Sequence, residues 1–80
     1  MTLAEAKAGS TVTVEAFVGA DQASEAIRLG IVPGRELKIL RKITRGPLVV
    51  QAGVSQIAVG YHLARRITVR PVNRGVAGSS

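Results

Sequence analysis

Two backbone breaks, Gly30 and Pro33-Gly34, fall within five residues of each other, and they constrain the path of this chain more than anything else in it. Ahead of them Ala23, Ala26, Ile27 and Gly30 recur at i, i+3, i+4 and i+7, so a short helix is expected with that stripe toward the core. Gly30 stands where a helix closes through the left-handed conformation, which a residue with a side chain enters only under strain. In that geometry Ile31 folds back toward Ala26 and seals the helix end. Pro33 fixes its own φ and Gly34 supplies the positive φ of a type II turn, so the chain must reverse there.

The remaining elements are short. Thr2-Leu3-Ala4-Glu5 fits a capping box over one helical turn ending near Ala8-Gly9. From Thr11 to Val18 the sequence alternates, with Val12, Val14, Ala16 and Val18 on one face and Thr11, Thr13, Glu15 and Phe17 on the other. Gly19-Ala20 ends that strand, and Asp21 is the expected cap of the following helix. A second strand runs from about Glu36 to Ile43. Leu37, Ile39 and Ile43 are expected inward and Lys38 and Lys42 outward, with Leu40-Arg41 marking a bulge. After the turn Arg45-Gly46-Pro47, Leu48, Val50 and Ala52 form the inward face of a third strand. Gln56 to Val59 is a fourth, Tyr61 to Arg66 one helical turn, and Ile67 to Arg70 a fifth strand that Pro71 ends. Five short strands joined at close spacing describe a mainly β, small barrel of one domain over residues 1–71, with 72–80, rich in Gly and Ser, as a flexible tail.

Eighty residues give a core too small for a large cofactor, and the absence of cysteine removes disulfides, thiolate metal sites and nucleophilic thiols. No apolar run approaches a membrane span, and no signal peptide is read at the N-terminus; a cytoplasmic protein is expected. The net charge is +6 and uneven. Residues 1–34 carry Lys7 and Arg28 against Glu5, Glu15, Asp21 and Glu25, whereas residues 35–80 carry nine Lys or Arg against Glu36 alone. Such an excess suits an acidic partner or nucleic acid as well as a plain solvated surface.

The run Leu29-Gly30-Ile31-Val32-Pro33-Gly34, followed by Leu37-Lys38-Ile39-Leu40-Arg41-Lys42 and Gly46-Pro47-Leu48-Val49-Val50, resembles the ferrous iron transport protein A (FeoA) family. Gln56-Ile57-Ala58-Val59, Ala64-Arg65-Arg66-Ile67-Thr68-Val69 and the opening Thr2 to Gly9 continue the likeness, which spans about residues 2 to 70. One departure is Glu25-Ala26, where family members often carry Arg-Leu: the charge is reversed and the side chain shortened. The resemblance implies an SH3-like barrel in the bacterial cytoplasm that supports FeoB, the large ferrous-iron permease with a cytoplasmic GTP-binding domain. The implied role is a protein-protein interaction module, without chemistry of its own or a cofactor. The same module also occurs as the C-terminal domain of diphtheria-toxin-repressor-type metalloregulators.

No residue pattern signals catalysis. Ser10, Ser24 and Ser55 have no triad context, and the glycines around Pro33 precede no phosphate-binding Lys-Ser/Thr pair. His62 is the single histidine, far in sequence from an acidic residue, so no metal site is expected. Partner binding is expected at Arg28, Leu29, Ile31 and Arg35, with Gly30, Pro33 and Gly34 as the structural turn. The alternative is a basic nucleic-acid-binding or metalloregulator-type module, using Arg35, Lys38, Arg41, Lys42, Arg45, Arg65, Arg66 and Arg70 on phosphates. Two aromatics, Phe17 and Tyr61, are too few for a base-stacking platform, which argues against nucleic acid. Self-association through a barrel edge or the apolar turn is a third reading.

Overall fold

β-Branched alternation makes Thr11–Phe17 a strand, β1, and the computed structural model, which describes residues 1–72, shows where that alternation is interrupted. Val12 and Val14 are fully buried, but β1 loses register with its neighbour between Val14 and Ala16. The extra residue at this bulge turns the rest of the strand over. Phe17, expected outward, packs against the core, while Ala16 and Val18, expected inward, are exposed.

The helix α1, Ala20–Arg28, begins earlier than expected. Gly19, with φ +95°, is its N-cap, and Asp21 lies inside the first turn, where its charge suits the helix dipole without capping it. Ala26 is the one fully buried residue of α1; Ile27, expected in the core stripe, faces solvent. The helix stops as its glycine requires. The Ile31 N–H donates to Ala26 O and the Gly30 N–H to Ile27 O, both at 2.9 Å, with Gly30 at φ +88°. This 6→1 and 5→2 pair is a Schellman closure. Four residues on, the Arg35 N–H donates to Val32 O at 3.1 Å across Pro33-Gly34, with Gly34 at φ +89°.

The chain then enters β2, Glu36–Lys42. Leu37 and Ile39 are buried, and a second bulge falls between Ile39 and Arg41. The bulge reverses the expected facing of the strand end. Lys42 comes to lie opposite the buried Leu48, and its Nζ donates to Ala6 O at 2.8 Å, while Ile43 is left 64% exposed. Leu48–Ala52 forms β3 and Ser55–Val59 forms β4, an uninterrupted hairpin closed by Gly53-Val54. Gly53 at φ +62° in the first central position is the residue a type II′ turn demands. The single helical turn α2, Tyr61–Ala64, leads to β5, Ile67–Pro71. Val72 continues past it with an N–H bond to Thr11 O; residues 73–80, part of the expected tail, lie outside the described residues.

The strands form one antiparallel sheet in the order β4-β3-β2-β1-β5, curled around sixteen buried apolar residues among those described, including Leu3, Ile31, Leu37, Ile39, Leu48 and Ile67. Burying a side chain of this size contributes about 1.5–3 kcal/mol, so these six carry much of the stability of a domain with no disulfide. The N-terminus covers the outer edge of β5. The Val69 N–H donates to Met1 O at 2.8 Å, the Met1 ammonium reaches Val69 O at 3.3 Å, and Thr2 bridges Thr68. A 3-10 turn, Leu3–Glu5, follows and drives Leu3 into the core. The Thr2 N–H donates to Glu5 Oε1 at 2.6 Å. That bond, with help from the Thr2 hydroxyl, holds the Glu5 carboxyl below its usual value.

Candidate functional site

The rigid end of α1 lifts several apolar side chains into solvent. Ile27, Leu29 and Val32 are 53%, 38% and 36% exposed, and Arg28 is exposed between the first two. Leu29 is held at the helix C-cap, its N–H shared between the Glu25 and Ala26 carbonyls. Ile31 differs: closure of the helix sends it wholly into the core, where it can touch no partner. Arg35 is exposed but points elsewhere. A Cβ placed on Gly53 would lie 3.3 Å from its Nη2, so the guanidinium rests against the β3–β4 turn. Of the four residues expected to bind a partner, the structure keeps Arg28 and Leu29 together, buries Ile31 and carries Arg35 toward the hairpin.

A second surface was not legible in the sequence. Because strand partners face the same way, Arg41, Val49 and Ala58 form one outward row across β2, β3 and β4. With Leu40, Ile43, Pro47 and Ala8 they line an open, mostly apolar groove of about 550 Å³ rimmed by Arg41 and Lys42. The next outward row is Lys38, Gln51 and Gln56. A smaller polar recess there is lined by Thr11, Glu36, Lys38, Gln51 and Gly53. The one local signal for the groove was the broken alternation at Leu40-Arg41. Its consequence for Ile43 and Lys42 depends on the partner strand.

Other chemistries find less to work with. Among the described residues no three His, Asp or Glu side chains gather as a metal site, and His62 is exposed beside Tyr61, ring centroids 6.4 Å apart. The two aromatics are engaged: Phe17 packs on the core, and Arg65 lies over the Tyr61 ring, 5.5 Å from its centroid. Among the described residues no helix is long and apolar enough to cross a membrane.

Residues 1–71 match the family model described as the FeoA domain. Among solved structures, an iron uptake regulatory protein (FeoA) aligns with a TM-score of 0.84 at 26% identity, over 90% of this chain and 97% of that one. The FeoA of Stenotrophomonas maltophilia, a prokaryotic SH3-domain protein complexed with zinc, aligns with a TM-score of 0.74 at 30% identity, over 88% of this chain and 89% of that one. A manganese-dependent transcriptional repressor, at 21% identity and a TM-score of 0.80, shares the fold alone; the match covers 90% of this chain and 41% of the repressor. No curated protein matches the chain.

Proposed function

The chain belongs to the FeoA family, and on that premise we propose that it is an accessory protein of bacterial ferrous-iron uptake that docks on the cytoplasmic part of a FeoB-type permease. A role in activating ferrous iron transport has been suggested for the Stenotrophomonas relative, which supports the reading. The observation that carries it is the apolar end of α1: Ile27, Leu29 and Val32 exposed together on a backbone held rigid by the Schellman closure and the Pro-Gly turn. A pre-organised apolar knob loses little entropy on docking. Arg28 beside it supplies charge to steer an acidic surface. The chain acts without catalysing a reaction. Iron passes through the permease, and this subunit works from the cytoplasmic face of the membrane through its partner.

Titration against the isolated cytoplasmic domain of the cognate permease, with and without guanine nucleotide, tests this. Leu29→Ala combined with Arg28→Glu is expected to weaken binding about tenfold or more, the scale of a hot-spot loss, and moderate salt to slow association. Unchanged binding by a folded double variant would overturn the proposed surface.

A further inference from the structure

The two edges of the sheet are treated differently. The outer edge of β5 is occupied by Met1 and Thr2. Among the described residues, no backbone group outside β3 hydrogen-bonds to β4. A two-residue hairpin closes on a hydrogen-bonded pair, here Ala52–Ser55, and such pairs then alternate along the ladder. Gln56 and Ala58 fall in the intervening pairs, so their N–H and C=O groups face away from β3, toward open solvent. β4 has none of the usual protections of an edge: Ser-Gln-Ile-Ala-Val contains no charge and no proline, and its pairing shows no bulge.

We propose that the open edge of β4 receives an extended peptide segment of a partner protein, apolar at its centre and acidic at both ends, which pairs with Gln56 and Ala58 as a further strand. The apolar centre follows from the neighbours: Ala58 and Val49 floor the outward groove, and Ile57 on the other face already packs against the core. The acidic ends follow from the charges. Beside the hairpin turn lie Lys38 and the Arg35 guanidinium, with Glu36 lining the same recess; at the opposite end lies Arg41, the neighbouring Lys42 Nζ being engaged with Ala6 O. Other occupants fit less well. A second copy brings another +6 chain to the same basic face, and residues 73–80 carry Arg74 and no acid. The inference uses no residue of α1 and goes beyond the docking surface proposed above.

The test is an NMR titration of the full chain with a capped peptide of three valines flanked at each end by two glutamates. Shift changes and slowed hydrogen exchange are expected at the Gln56 and Ala58 amides. The same peptide methylated on all three valine nitrogens has no donor left in its apolar centre, on either edge, and its binding should weaken about tenfold or more, the loss of roughly two hydrogen bonds. A lysine-flanked version should bind more weakly still at low salt. Ala58→Pro removes an edge-facing donor without touching the β3 ladder and should abolish binding; if that variant misfolds, the methylated peptide decides with the protein untouched. Equal affinity for the methylated peptide, or shifts centred on α1, overturns the proposal. So does concentration-dependent dimerisation of the chain through β4 that excludes the peptide. The Leu29→Ala, Arg28→Glu variant should bind the peptide normally; that result together with unchanged permease binding would sink the α1 docking surface and leave the β4 edge standing.

Discussion

The half of the molecule built from β1, β5, α2 and the N-terminal turn is closed, whereas the half built from the end of β2 and the β3–β4 hairpin is open. On the closed side Met1 and Thr2 pair with the sheet edge and Leu3, Ala6, Leu63 and Ala64 lie buried behind them. On the open side Ile43, Val54 and Ala58 are exposed, and among the described residues no strand lies beyond β4. A domain of this size has too few residues to cover both sides of every strand. The cover lies where Met1 and Thr2 pair with β5, and the hairpin is left exposed at the other edge of the sheet.

The largest effect separating the halves is expected from truncation of matched apolar residues. Leu3→Ala should cost about 2–5 kcal/mol in urea unfolding, the range for a buried leucine that leaves a cavity. Ile43→Ala should change stability by no more than about 0.5 kcal/mol, as exposed substitutions do. Equal losses would mean that the open side is covered in solution. A smaller effect is expected at the helix stop. A Cβ on Gly30 meets nothing within 4 Å, so Gly30→Ala feels only the positive φ and should cost about 1–2 kcal/mol. Asn in its place should recover part of that, because its side chain tolerates the left-handed region.

The smallest effect concerns pH and sharpens the account of the strap over β5. The Glu5 carboxyl is held below its ordinary value of 4.5 by the Thr2 N–H, so the charged form favours the folded state. Its contribution is present above the ordinary value and disappears as pH falls through the lowered one. Urea midpoints of the wild type and Glu5→Gln should therefore differ slightly at neutral pH and converge on acidification. A gap that persists at low pH would show that shape, not charge, holds the turn.

Much of the backbone path was legible. The closure at Gly30, the reversal at Pro33-Gly34 and the inward set Leu48, Val50 and Ala52 follow from φ limits and from alternation along a single strand. The candidate surfaces were legible only in part. Leu29 and Arg28 stand where the helical pattern puts an edge residue and its neighbour. Ile31 was misassigned because the same closure that identifies the helix end also drives its side chain inward. The groove of β2–β4 escaped because Ile43 reads as an inward residue in β2 alone, and the bulge expected at Leu40-Arg41 does not by itself say which side chains it turns outward.

The sequence by itself determined where this chain bends, since glycine and proline restrict φ locally and need no partner to do so. Only the tertiary structure decided which way the strands face after each bend. The bulges beside Glu15 and at Leu40 arise from register against a neighbouring strand, and each one exchanges the faces of every residue beyond it. Thus Phe17 turns inward, Lys42 reaches the Ala6 carbonyl, and Ile43 comes to the surface. Among the described residues the same pairing places β4 at the sheet edge, with β3 as its one neighbour, a property no single strand carries in its own residues.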